Sequence, residues 1–323
     1  MRRQGGRIVQ DLKPHGQIIA AFGRHYLAEL PDGSLLECVP RGKKSEVACG
    51  DFVELQRTAG PLSALRTGSS AMLRTGGQAV IEAILPRQTL LYRSVAHREK
   101  LIAANVTQLI IVVAAEPSFS DELLARCLVA AHDQQLSALI VLNKCDLAAQ
   151  AEAARAQLAP YRAIGYTVLE LSAMENAALL LPYLQGHTSV LVGQSGMGKS
   201  TLINALLPEA LAATREISSV LDSGKHTTTH ARLYHLNADS HLIDCPGVQA
   251  FGLHHLTFGG IEEGFAEFAA YLGQCRFNNC RHSREPGCAL RMAAEQGKIN
   301  ARRLQLFQEI SKGGAGNEYR RHG

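Results

Sequence analysis

The chain has no tryptophan, and aromatic residues make up only 5% of its 323 positions. Its cores must therefore be built mainly from Leu, Ile, Val and Ala. Long apolar runs are missing as well: the longest, Leu109 to Ala115, falls far short of the ~20 residues that a bilayer-crossing helix needs. The basic opening, MRRQGGRIVQDLKPHG, has no apolar stretch behind it, so it does not read as a signal peptide and the cytoplasm is the expected location. A disulfide framework is absent too. Cys38, Cys49, Cys127, Cys145 and Cys245 stand singly in apolar or motif segments, and only Cys275, Cys280 and Cys288 cluster, beside His282. In a reduced compartment such a cluster reads as metal before disulfide.

The remaining composition, 46% hydrophobic and 19% charged, is that of a globular protein long enough for two or three domains. Charge is unevenly placed. Residues 1–86 carry 11 Lys/Arg against 8 Asp/Glu and residues 257–323 carry 10 against 7, so each flank is +3, while residues 87–256 carry 12 against 14. Basic flanks suit contact with a polyanion, although an ordinary solvated surface carries as much.

Three segments follow from the patterning. In the first, residues 1–86, short strands are predicted at Gln17–Ala21, His25–Leu30, Leu35–Val39, Asp51–Gln56 and Ala79–Leu85, with Pro31-Asp32-Gly33 as a turn. Five such strands fit a small OB-like Greek-key β-barrel. The intervening loop, Thr58–Gly77, carries Arg66 and Arg74 and is either an RNA contact that orders on binding or a plain surface loop. In the second, residues 87–256, buried strands alternate with amphipathic helices: Val106–Ala114, the helix Asp121–Gln134 capped by Ser120, Ala138–Leu142, Ala148–Ile164, Thr167–Leu171, Ser189–Val192, Lys199–Leu207, Ala231–Leu236 and His241–Ile243. That alternation predicts an α/β fold with a mostly parallel sheet, whose ligand sites lie at the carboxyl ends of strands. The third, residues 257–323, is mostly helical around the Cys/His cluster, and its tail KGGAGNEYRRHG is expected to lack structure.

The motifs fall at those strand ends. Gly193, Gln194, Ser195, Gly196, Met197, Gly198, Lys199 and Ser200, continuing to Thr201, match G-x-x-x-x-G-K-[ST] between a strand and a helix. Glycines let the backbone wrap phosphates, and the helix N-terminus adds its positive dipole. Lys199 is expected on the β- and γ-phosphates and the Ser200 hydroxyl on Mg²⁺. Upstream, Asn143-Lys144-Cys145-Asp146 ends the strand ALIVL. The Asp146 carboxylate can accept two hydrogen bonds from guanine that adenine cannot return. Lys144 is expected against the base plane, and the backbone of Ser172-Ala173 at guanine O6. Downstream, Asp244-Cys245-Pro246-Gly247 ends the strand HLID, with Asp244 toward Mg²⁺ and the Gly247 N–H toward the γ-phosphate. Within Gly224-Lys225-His226-Thr227-Thr228-Thr229, Thr228 is chosen as the remaining Mg²⁺ ligand. N-K-x-D preceding the P-loop reverses the usual GTPase order, so the motifs are circularly permuted. The expected ligands are thus GTP or GDP with Mg²⁺, and the chemistry is a GTPase's.

The cluster Cys275, Cys280, His282, Cys288 supplies three thiolates and one imidazole, a closed tetrahedral Zn²⁺ shell of the structural kind. Arg276, Arg281 and Arg284 are interleaved with it and could present guanidinium groups to phosphate.

With P-R-G-K-K at Pro40–Lys44 and C-G-D-F-V at Cys49–Val53, these motifs resemble, over nearly the whole chain, the RsgA (YjeQ) family of circularly permuted GTPases, which act in small-ribosomal-subunit assembly. The departures are Met197, Cys245, and Lys225 where the family tends to have Arg; none removes a phosphate or metal ligand. The resemblance implies an N-terminal OB barrel and a C-terminal zinc domain that both face ribosomal RNA, with the small subunit as partner. A monomer is expected. Many GTPases carry a water-orienting Gln after Asp-x-x-Gly; here Val248 stands there and cannot hydrogen-bond, so another polar group must do so. His226, beside Thr228, is the candidate, and the resemblance implies the same role. Lys199, Thr228 and His226 form the expected catalytic set. Two other functions stay open on the residues: a metallochaperone-type P-loop GTPase, against which the closed metal shell argues, and an RNA-binding module that uses GTP only structurally, against which the Mg²⁺ and γ-phosphate groups argue.

Overall fold

The computed structural model describes residues 14–42, 46–58, 75–95, 98–207, 231–245, 253 and 255–314. Most of the 58–77 loop, His226, Thr228 and the rest of their segment, Gly247, Val248 and residues 315–323 therefore lie outside the described residues.

Period-two alternation in the first segment yields β1 (His15–Phe22), β2 (His25–Glu29), β3 (Leu35–Pro40), β4 (Phe52–Arg57) and β5 (Thr75–Ile84). They pair in the order β1-β2-β3-β5-β4, and β4 returns to β1, which closes a five-stranded barrel. Ile18, Tyr26, Leu36, Val53, Leu55 and Ile81 fill its interior. A hairpin follows, β6 (Leu90–Val95) and β7 (Arg98–Ala104), which no sequence pattern announced. The charged run Arg98-Glu99-Lys100 masks its alternation.

The α/β part runs β8 (Gln108–Ala114), α1 (Asp121–Asp133), β9 (Ser137–Asn143), α2 (Ala148–Ala163), β10 (Thr167–Glu170), α3 (Leu181–Leu184), β11 (Thr188–Val192), α4 (Lys199–Leu206), β12 (Ala231–His235) and β13 (His241–Asp244). Strands β10-β9-β8-β11-β13 are mutually parallel, and β12 adds antiparallel to β13. Every residue of β8 is buried, as befits the middle of a two-sided sheet. Ser120 caps α1 as expected, its hydroxyl accepting from the Leu123 N–H at 3.2 Å.

The barrel and this sheet are joined by backbone as well as by chain. Strand β12 pairs antiparallel with β1, Ala20 opposite Arg232 and Ala21 opposite Ala231, so that one sheet runs from β10 to the barrel. The C-G-D segment reinforces the joint. The Gly50 N–H donates to the Ile18 carbonyl at 2.7 Å and the Ala104 N–H to the Cys49 carbonyl at 2.8 Å. At φ 94° Gly50 passes so close to β7 that a Cβ would sit 2.2 Å from the Ala104 oxygen. Asp51 is fully buried, and its carboxylate accepts from Arg87 Nε at 2.7 Å, Arg87 Nη2 at 2.8 Å and the Ala48 N–H at 2.7 Å.

In the C-terminal part, α5 (Phe258–Glu263), α6 (Ala289–Glu295) and α7 (Ala301–Gly314) surround the Cys/His cluster. The scarce aromatics are concentrated here: Phe258, Phe265 and Phe268 all meet the Phe307 ring at 5.4–5.5 Å between centroids. Their core is continuous with that of the α/β part. The fit to α1 is tight, since a Cβ on Gly264 would lie 2.9 Å from Val129. Arg303 is buried, bonds Glu267 at 2.6 Å, and stacks 4.9 Å over Tyr161 of α2. Helix α7 reaches Gly314, so Lys312–Gly314 of the expected unstructured tail are helical. Among the described residues no helix is long and apolar enough to cross a membrane.

Candidate nucleotide site and metal centre

Parallel pairing sets the carboxyl ends of β8, β9, β10, β11 and β13 side by side, and each sequence motif within the described residues leaves one of them. The P-loop leaves β11, the guanine motif β9, Ser172-Ala173 β10, and Asp244 closes β13. Proximity in space thus replaces the permuted order along the chain.

Asn143 joins three of these loops. It is 1% exposed; its amide nitrogen donates to the Met197 carbonyl at 2.9 Å, and its oxygen accepts the Ala173 N–H at 2.8 Å. Met197, within the P-loop, is itself buried and serves as packing. The Ser172 N–H donates to Asn176 Oδ1 at 2.8 Å, so both N–H groups expected at guanine O6 have acceptors within the chain, and the Ser172 hydroxyl is buried without one. Asp146 is exposed. Lys144, at φ 62°, reaches across to donate to the Glu116 carbonyl at 2.7 Å.

Gly198 caps α4 at φ 88° and Lys199 opens the helix. The Lys199 ammonium is held inside the loop by the carbonyls of Gly193 at 2.6 Å and Gln194 at 2.7 Å. Burial pushes its pKa below the usual lysine value, with attraction to Asp244 opposing. Asp244 is the mirror case: burial raises its carboxyl pKa and Lys199 opposes. A desolvated carboxylate beside a phosphate-binding loop has the chemistry of a divalent-cation ligand. Ser195, Gly196 and Ser200 are exposed, while Gln194 and Thr201 are half-buried.

The metal cluster lies apart, between α5 and α6. The donor atoms of Cys275, Cys280, His282 and Cys288 lie within 4.8 Å of one another. His282 Nδ1 is 3.5 Å from Cys275 Sγ and 3.3 Å from Cys288 Sγ, a spacing suited to one tetrahedral ion, and three of the four residues are buried. The group could therefore hold a metal. Its other nitrogen, Nε2, faces Glu262 Oε1 at 2.5 Å, which fixes the ring and its tautomer. Arg281 lies 4.7 Å over the Phe258 ring and Arg276 5.4 Å from that of Phe277. No motif had singled out Glu262 or Asn176; the habit of ligating histidines to lean on a carboxylate was the one signal for the former.

Known proteins resemble this chain over nearly its whole length. A family model described as RsgA GTPase matches residues 84–254. A Nitrosospira multiformis protein, "Small ribosomal subunit biogenesis GTPase RsgA", is 54% identical over 310 residues, covering 96% of this chain and 94% of its own length. The like-named Nitrosomonas europaea protein is 50% identical over 301 residues, covering 92% and 91%. Among solved structures, YjeQ from Thermotoga maritima superposes with a TM-score of 0.68 at 26% identity, covering 94% of this chain and 99% of that one. YloQ, described as a circularly permuted GTPase, superposes at 0.66 and 25% identity, covering 96% and 98%.

Proposed function

Since the chain belongs to the RsgA GTPase family, we propose that it hydrolyses GTP to GDP and phosphate as a biogenesis factor of the small ribosomal subunit. The observation that supports this most is Asn143, which ties the guanine motif to the P-loop and to Ser172-Ala173 at one row of strand ends.

In this reading the backbone of Gly193–Ser200, with Thr201 behind it, wraps the phosphates. Lys199 exchanges its two carbonyl partners for β- and γ-phosphate oxygens. Asp146 and Lys144 select and cover guanine. Bound Mg²⁺ supplies charge neutralisation to the phosphates, and Ser200, Thr228 and Asp244 would hold it. Gly247 senses the γ-phosphate, and His226 orients the attacking water. Cys275, Cys280, His282 and Cys288 hold structural Zn²⁺. Residues 1–86, 87–256 and 257–323 act as barrel, catalytic and zinc modules of a cytoplasmic monomer, the outer two contacting ribosomal RNA.

Turnover is slow alone and accelerated by the small subunit. The test is co-sedimentation with small subunits in a non-hydrolysable GTP analogue, with His226→Ala assayed for turnover with and without subunits. Failure to co-sediment would refute the partner. Unchanged stimulated turnover in His226→Ala would refute the role of that side chain.

A further inference from the structure

The six residues between β8 and α1, positions 115–120, are gripped by both nucleotide motifs. Lys144 donates to the Glu116 carbonyl at 2.7 Å. The Pro117 ring lies 3.5–3.6 Å from where a Cβ on Gly196 would stand. Gln194 Oε1 accepts the Ser120 N–H at 2.7 Å.

The last contact has a particular meaning. Ser120 is the N-cap of α1, and in a capping box the third helical residue returns a side-chain acceptor to the cap's own N–H. Here that residue is Leu123, which has none to give. Gln194 supplies the missing half from the P-loop, 74 positions away. The start of α1 is thus completed by the phosphate-binding loop.

The next residue is clasped from the other side. Asp121 accepts from Arg302 of α7 through a two-pronged pair, Nε to Oδ2 at 2.7 Å and Nη2 to Oδ1 at 2.9 Å. Arg302 is also 3.3 Å from Glu309, and its neighbour Arg303 anchors α7 within the C-terminal part through Glu267. Three consecutive links therefore run from the P-loop to the helix beside the metal cluster: Gln194 to Ser120, Ser120 to Asp121 along the chain, and Asp121 to Arg302.

We propose that Gln194 is a positioning residue whose side chain passes the state of the phosphate loop to the C-terminal metal module through the N-terminus of α1. The proposal rests on the nucleotide reading above. A change in the P-loop that moves the Gln194 amide leaves the Ser120 N–H without its acceptor, and the first turn that fixes Asp121 loosens with it. Linkage makes the effect reciprocal: whatever shifts α7 alters the relative affinity of the P-loop for GTP and GDP.

The test uses the full-length protein with GDP and a non-hydrolysable GTP analogue. Affinities for both are measured in the wild type, Gln194→Ala, Arg302→Met, the double variant and Arg302→Lys. Arg302→Met should change the ratio of the two affinities by about fivefold. In the Gln194→Ala background the same substitution should add nothing, because the link is already cut. Arg302→Lys, which keeps the charge, should recover part of the wild-type ratio. Asp121→Asn replaces Arg302→Met if the latter unfolds the module. Additive effects, or a ratio unmoved by Arg302→Met or Asp121→Asn while both nucleotides still bind, would overturn the relay. A wild-type protein that binds neither nucleotide would instead overturn the nucleotide reading, and the relay with it.

Discussion

Gly198 passes so near Asn143 that a β-carbon on it would stand 2.2 Å from the Asn143 amide nitrogen. The glycine is what allows that amide to reach the Met197 carbonyl, and the amide in turn holds the P-loop against the guanine loops. Asn143→Ala leaves the Met197 carbonyl and the Ala173 N–H without partners. Stability should fall by about 1–3 kcal/mol in denaturant unfolding, and affinity for GDP should fall with it. Unchanged GDP binding would show that the bridge has no part in forming the site.

Guanine selectivity should reside in the exposed carboxylate of Asp146. Asp146→Asn presents a donor where two bonds were accepted, so preference should move from guanine toward xanthine nucleotides. Competition of GTP and XTP for the variant measures this, and full retention of GTP preference would show that the base is read elsewhere.

Asp244 is a buried carboxyl whose ionisation costs stability. Its raised pKa means that the folded protein holds the proton more tightly than the unfolded chain. Linkage then makes the ionised form costly at neutral pH, a cost relieved as pH falls through the raised folded value. Asp244→Asn should therefore melt no lower than wild type without nucleotide, while Mg²⁺-dependent turnover drops on the order of 10²-fold or more. A lower melting temperature would contradict the burial argument.

Glu262 fixes the imidazole of His282. Glu262→Gln should weaken zinc affinity roughly 10- to 100-fold, measured by competition with a chromophoric chelator. Because the metal module shares its core with the α/β part, metal removal should also lower the melting temperature of the whole chain. Equal zinc affinity in the variant would mean that the carboxylate does not support the ligand.

The motifs were legible because each is local: a strand, a loop of fixed length and the start of a helix are adjacent in sequence, as in Val190–Lys199. Strand β8 was legible because burial on both faces leaves an unbroken apolar run. Other features were not, for a common reason. Asp121 and Arg302 lie 181 positions apart, and nothing near either residue encodes the other. The β1–β12 pairing is made by backbone groups, which every sequence supplies alike. Gln194 and Ser120 are likewise 74 positions apart, and only the apolar side chain of Leu123 hints that the cap of α1 takes its acceptor from elsewhere.

The pairing of β1 with β12 also governs how the molecule can be divided. A cut after residue 86 looks harmless from composition, yet it would strip β12 of its outer neighbour and leave β1 with backbone donors and acceptors facing water. Such raw sheet edges recruit other chains. The barrel expressed without the remainder, and the remainder without the barrel, would each be inclined to aggregate, and mixing the two fragments should restore solubility that neither has alone.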